Sequence, residues 1–191
     1  MIVNGKRVKK KALREENARK STVIRVVARP GSPARGWLIH RGRAIPVALG
    51  PAGIRHDKRE GDGATPAGTW RPRQLRWRSD HGLRPATQLP ARPTRRDDGW
   101  CDDPADGRYN RPVRLPFAPS HEEMWRKDAL YDLVVVLDHN ARPRKSRRGS
   151  AVFLHLAREG FQPTAGCIAF RRADLKRLLA ILTPRTRIKV G

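Results

Sequence analysis

Tyr131-Asp132-Leu133-Val134-Val135-Val136-Leu137 is an almost unbroken apolar run in a chain of which 31% is charged. A half-solvated strand alternates apolar and polar residues, so a run this short without alternation fits a strand buried on both faces. It marks the interior of a sheet. The rest of the chain has to supply short elements around it: Pro and Gly number 16 each and hydrophobic residues make up 38%, a balance rich in turns yet apolar enough for a core. With 191 residues, one domain is expected. Its division is a basic, flexible arm over 1–21, where Lys9-Lys10-Lys11 stands and nothing resembles a core, followed by a folded unit over 22–191.

Val23-Ile24-Arg25-Val26-Val27 reads as a first strand. Residues 37–40 and 44–49 read as a hairpin turning at Arg41-Gly42, with Pro46 demoting the second arm toward an edge. The span 78–120 is rich in Pro, Arg and Asp, and a structureless loop of that length is unusual in a compact domain, so short strands or a site lining are expected there. Residues 150–156 read as a strand with Val152, Leu154 and Leu156 on one face and Ala151, Phe153 and His155 on the other. Leu175, Leu178, Leu179 and Leu182 form one stripe of a helix over 173–182, with Asp174 in its first turn and Thr183-Pro184 as its stop. Residues 186–190 alternate and read as a closing strand.

The chemistry-bearing pattern is at the C-terminal side. His155 ends the apolar run, and twelve positions later Cys167 stands in Pro163-Thr164-Ala165-Gly166-Cys167-Ile168-Ala169-Phe170. A thiol attacks as thiolate, an imidazole can take its proton, and Gly166 frees the backbone to turn N–H donors toward an oxyanion. Cys167, His155 and Gly166 are therefore the candidate catalytic residues. His139, at the end of 131–137, is the rival base. Cys101 and Cys167 are the two cysteines; without a Cys-x-x-Cys pair no metal or redox site is expected, and Cys101 is expected buried and unpaired if Cys167 is the nucleophile. Asp102, Asp103 and Asp106 precede Gly107 at an EF-hand-like offset, but Pro104 and Val113 occupy ligand positions, so no calcium loop is read.

These residues resemble the signature of the L,D-transpeptidases of bacterial cell walls, the YkuD-type catalytic domain: a His, a loop, then Ser/Thr-His-Gly-Cys and an apolar residue. His155, Thr164, Gly166, Cys167 and Ile168 fit it, and Asp62-Gly63-Ala64-Thr65-Pro66-Ala67-Gly68-Thr69 looks like the Thr-Pro-x-Gly hairpin of the same domain. Ala165 stands where the second His is usual and Ala169 where Asn or Arg is usual, as in a shorter branch that shares Gly99-Trp100-Cys101-Asp102-Asp103-Pro104 and Tyr109-Asn110. The resemblance implies a mainly β, α+β fold: a curled antiparallel sandwich or barrel with one main helix near the C-terminus. It implies acyl transfer from a peptidoglycan tetrapeptide stem through a thioester to a second stem amine, giving a 3–3 cross-link in the periplasm or cell wall, with no cofactor. With Thr164, Tyr109, Asn110 and Asp103 as substrate-binding candidates, water in place of the amine makes the same site an L,D-carboxypeptidase or a hydrolase.

The formal charge of +24 draws polyanions. Anionic envelope polymers are candidate partners beside the peptide stems. A non-enzymatic basic module for nucleic acid or such polymers is the alternative, but no helix-turn-helix, zinc-finger or RNP pattern accompanies Trp70, Trp77, Trp100 and Trp125, which read as packing residues, so nucleic acid is not expected. No run is long enough to span a bilayer, and the basic start leads into Ala12-Leu13-Arg14-Glu15-Glu16-Asn17, not into the apolar stretch of a secretory signal.

Overall fold

The computed structural model describes residues 22–191; the arm expected over 1–21 lies outside the described residues. The strands in chain order are β1 (Val23–Arg29), β2 (Ser32–His40), β3 (Arg43–Ala48), β4 (Ile54–Arg55), β5 (Thr65–Pro66), β6 (Gly68–Trp70), β7 (Pro72–Trp77), β8 (Ala91–Pro93), β9 (Asp98–Cys101), β10 (Arg111–Arg114), β11 (His121–Glu123), β12 (Leu133–Leu137), β13 (Phe153–Leu156), β14 (Ile168–Phe170) and β15 (Arg187–Val190). Among the described residues there is one α-helix, α1 (Arg172–Leu179).

Ten strands form one sheet in the order β6-β15-β1-β2-β3-β14-β13-β12-β7-β8. Most neighbours are antiparallel, as expected, but β1 with β15, β13 with β14 and β7 with β8 run parallel, so the sheet is mixed. β10-β9-β11 make a smaller antiparallel sheet, and β4-β5 a two-stranded parallel one. The first strand pairs with the last, Val23 to Val26 against Arg187 to Val190.

The sheet curls. Ile24, Val26 and Leu38 from one half share a single buried cluster with Leu133, Val135 and Leu154 from the other, and Leu175, Leu178, Leu179 and Leu182 close it. A flat sheet could not bring strands that far apart in its order onto one core. Asp174 lies in the first turn of α1 as its sequence suggests. The opposite face of β12 and β13 carries a second cluster, with Trp100, Met124, Tyr131, Phe153 and Cys167. All of β12 is buried because it is the strand that both clusters share.

Three local expectations differ, the first being that the helix expected over 173–182 ends at Leu179, ahead of its expected stop at Thr183-Pro184. β3 is not an edge: it lies between β2 and β14, but its pairing with β14 is limited to Ala48 with Ala169, so that ladder begins only after Pro46. The strand expected from 150 begins at Phe153, because Ala151 adopts a left-handed φ of 49°. The two faces expected around His155 are nonetheless correct: Val152, Leu154 and Leu156 lie in the first cluster and Ala151 and Phe153 in the second. The span 78–120 holds β8, β9 and β10.

Candidate active site

The β13–β14 ladder sets the geometry. Leu154 pairs with Ile168 and His155 with Ala169 in parallel register. Cys167 therefore lies across from Phe153, and His155 is two residues farther along the same face, one strand spacing of about 4.8 Å over and about 6.6 Å on. The thiol confirms the first placement: Phe153 N–H donates to Cys167 Sγ at 3.3 Å. The thiol in turn donates to the Ala151 carbonyl at 3.1 Å. Left-handed Ala151 thus presents its carbonyl to the sulfur at the point where the strand has not yet begun.

His155 is held from the other side. Its Nδ1 lies 2.8 Å from the Leu156 carbonyl. A carbonyl only accepts, so Nδ1 carries the proton and the neutral ring leaves Nε2 bare, the state a general base requires. Burial lowers the His155 pKa to about 4, the Leu156 carbonyl opposing. Burial also pushes the Cys167 thiol well up, reinforced by Glu122 and opposed by Phe153 N–H and the Lys58 ammonium. With 6% and 7% of their surfaces exposed, the two groups rest as neutral imidazole and neutral thiol.

Aromatic rings box them in. Tyr131 stands edge-to-face with His155 at 5.3 Å and with Phe153 at 6.0 Å, and Trp100 with Phe153 at 5.1 Å. The Tyr131 hydroxyl donates to Glu122, whose pKa is raised by burial.

Thr164 shapes the loop before the cysteine. Its Oγ1 donates to the Cys167 carbonyl at 2.7 Å and accepts Gly166 N–H at 3.1 Å. The Gly166 N–H expected to face an oxyanion is therefore occupied, because the threonine hydroxyl needs a donor as well as an acceptor; the Cys167 N–H is not taken by that hydroxyl. Gly166 has φ 137°, and a Cβ there would come 2.6 Å from the Ala64 carbonyl. That contact joins the two sequence motifs, since Ala64 precedes Thr65-Pro66. Thr65 Oγ1 then accepts Gly50 N–H and Thr164 N–H donates to the Leu49 carbonyl, locking the hairpin and the cysteine loop to the end of β3.

Of the other candidates, Asn110 belongs to the site's support. Its Oδ1 accepts Trp100 Nε1–H and Ala151 N–H, both at 3.1 Å, and its amide donates to the carbonyls of His139 and Asn140. All its capacity is spent inside the protein, and it fixes the left-handed Ala151. Tyr109 is buried and its hydroxyl donates to Glu60. Asp103 Oδ1 accepts Ala105 N–H in a local turn, away from the thiol's own contacts. Cys101 is free and buried, as is Cys167. His139 does not reach the thiol's hydrogen bonds; its Nε2–H donates to the Arg148 carbonyl, and burial lowers its pKa. Among the described residues no group of His, Cys, Asp and Glu could hold a metal ion, and no helix is long and apolar enough to cross a membrane.

Lys58, Glu122, Tyr131 and the Ala151 carbonyl are the parts that sequence reasoning missed. Lys58 is one of 42 basic residues, and only its burial, at 6% exposed, and its contact with the cysteine loop set it apart.

A family model described as the L,D-transpeptidase catalytic domain, YkuD, matches residues 21–190. No curated protein matches the chain. A solved structure described as "Structure of the Ldtfm-avibactam carbamoyl enzyme" is similar at 11% identity with a TM-score of 0.41, covering 90% of this chain and 49% of that one; the chain thus spans about half the length of that protein.

Proposed function

Because the chain belongs to the L,D-transpeptidase catalytic-domain family, we propose that it is a cysteine acyltransferase acting on peptidoglycan peptide stems outside the cytoplasmic membrane. The observation that carries this reading is the fixed tautomer: Nδ1–H on the Leu156 carbonyl leaves Nε2 bare on the face that also bears Cys167.

The thiol swings from the Ala151 carbonyl toward Nε2 and gives up its proton as the sulfur attacks the carbonyl carbon of the stem's third, diamino residue. The oxyanion forms against the Cys167 N–H. Collapse breaks the C–N bond, the imidazolium returns its proton to the departing terminal D-amino acid, and a thioester remains. The amine of a second stem then attacks, loses a proton to His155 and releases the thiol, leaving a 3–3 cross-link; water in its place leaves a shortened stem. Thr164 positions the loop through its two hydrogen bonds, and no cofactor takes part.

The test is intact-mass analysis after incubation with a carbapenem, comparing the wild type with Cys167→Ala, followed by product analysis with tetrapeptide stems. One adduct per chain that disappears in Cys167→Ala is expected. No adduct on protein whose Cys167 is shown to be reduced would overturn the reading, and salt-sensitive DNA binding unaffected by Cys167→Ala would replace it with the basic binding module.

A further inference from the structure

Next to the cysteine loop lies a cavity of about 330 Å³ whose lining includes His56, Lys58, Trp70, His139, Lys145 and Arg148, with no acidic residue among those that line it. Lys58 joins it to the proposed nucleophile, because the same ammonium stands 3.5 Å from where a Gly166 Cβ would be. Its placement is built in. At Gly149, φ 89°, a Cβ would come 2.9 Å from Lys58 Cγ and 3.0 Å from Cε, so this left-handed glycine clears the space that the side chain occupies. Asp62 clamps the ammonium through Oδ1 and is itself fixed by the N–H groups of Arg59 and Ala64.

A buried ammonium has three donors, of which Asp62 accepts one. A second feature points to a ligand: His139, 7% exposed, lines the same cavity with Nδ1 buried and without a hydrogen-bond partner. With Nε2–H committed to the Arg148 carbonyl, Nδ1 is an acceptor, which a water that donates its second hydrogen to a bound anion can fill. Trp70 walls the ring edge-on at 4.6 Å. Arg148 is already paired with Asp57 and Lys145 is exposed at the rim. The interior therefore offers the two remaining N–H donors of an ammonium whose formal charge Asp62 balances, a match for a single carboxylate better than for a phosphate dianion.

We propose that this cavity is a carboxylate-recognition subsite in which Lys58 binds the C-terminal carboxylate of the residue that the acyl transfer releases. The inference rests on the acyl-transfer reading of Cys167. In a stem with a free C-terminus, that carboxylate is three bonds from the attacked carbonyl carbon, so an anion site abutting Gly166 is where it falls. Lys58 then selects stems ending one residue beyond the attacked bond and rejects longer or amidated ones. The positive charge comes from the segment before the Thr65-Pro66 hairpin, in a chain that has Ala165 and Ala169 beside the cysteine.

The experiment compares acylation of the full chain by a tetrapeptide stem and by its C-terminal carboxamide. The wild type is expected to prefer the carboxylate by about 10- to 100-fold in kcat/KM, the range for a hydrogen-bonded charged group, and Lys58→Met to bring the two substrates within about threefold by slowing the carboxylate form. Independently of turnover, N-acetyl-D-alanine but not its amide should shift the amide resonances of Gly149 and Gly166 in the wild type. Turnover without carboxylate preference in the wild type overturns the subsite and leaves the acyl-transfer reading standing, and needs no variant that must fold. A preference that Lys58→Met retains overturns the role of Lys58. Carboxylate-dependent shifts without any turnover would keep the subsite and overturn the acyl-transfer reading, and the absence of both would overturn both.

Discussion

Burial of His155 makes a quantitative claim about acid. In the unfolded chain its imidazole takes up a proton around its ordinary value of 6.5, whereas in the native protein it does so only around 4. Between those values the unfolded state holds more protons, so native stability is full above pH 6.5 and is lost as pH falls through this window. The whole gap is worth about 3 kcal/mol, and at about pH 4.5, where the native ring is still mostly neutral, about 2.5 kcal/mol has gone. Other groups titrate as well, notably His139 and the paired carboxylates, so the wild type should be compared with His155→Gln, which keeps an amide donor for the Leu156 carbonyl and does not titrate. Urea unfolding of both proteins at pH 7.5 and 4.5 isolates the contribution as a difference of differences. The wild type should lose about 2.5 kcal/mol more than the variant, or roughly 5–10 °C in Tm for a domain of this size. Equal losses within about 0.5 kcal/mol would refute the argument, showing that the imidazole is not held neutral. The same neutrality predicts that carbapenem acylation by the wild type does not fall as pH drops through 6.5.

Gly166→Ala should abolish acylation and destabilise by about 2–4 kcal/mol, because a methyl group would meet the Ala64 carbonyl at 2.6 Å in a backbone region unfavourable to side chains; denaturant titration and the mass assay check it. Asn110→Ala should cost about 3 kcal/mol by orphaning the Trp100 and Ala151 N–H groups and releasing two carbonyls, with acylation falling in parallel as Ala151 loses its restraint. Cys101→Ser should keep the adduct, since Cys101 is buried and unpaired; a wild-type adduct that vanishes in this variant, with the fold intact by circular dichroism, would point to a different nucleophile.

Elements whose cause is local were legible in the sequence. The apolar run in β12, the stripe of α1 and the face alternation of β13 need only a few neighbouring residues and one buried surface, and each stands where its pattern placed it, save that α1 ends at Leu179 and leaves Leu182 beyond it. The start of β13 was not legible, because the left-handed Ala151 depends on an amide 41 residues away, at Asn110. The parallel pairing of β1 with β15 joins the two ends of the described chain, and the interior position of β3 depends on one residue pair with β14. Types and spacing picked out His155 and Cys167, but the surrounding aromatic box comes from β9, β13 and the approach to β12, which no contiguous motif brings together. Lys58 was invisible for a related reason: in a chain with 42 Lys and Arg, burial rather than identity distinguishes it.

The site's electrostatics and its packing make one argument. A preformed thiolate–imidazolium pair would place two charges between Trp100, Phe153 and Tyr131, where the desolvation cost is severe. The fold instead stores the proton on sulfur and points it at the Ala151 carbonyl. On the proposed acyl-transfer reading, charge then develops only when a carbonyl carbon is in place to accept the sulfur's electrons and the Cys167 N–H can meet the oxyanion, which ties activation to occupancy. Lys58 fits this scheme because its ammonium favours thiolate while Glu122 opposes it. A substrate carboxylate that engages Lys58 would draw part of that positive field away from the sulfur until the terminal residue departs, leaving the field available to the thiolate that is released when the acceptor opens the thioester.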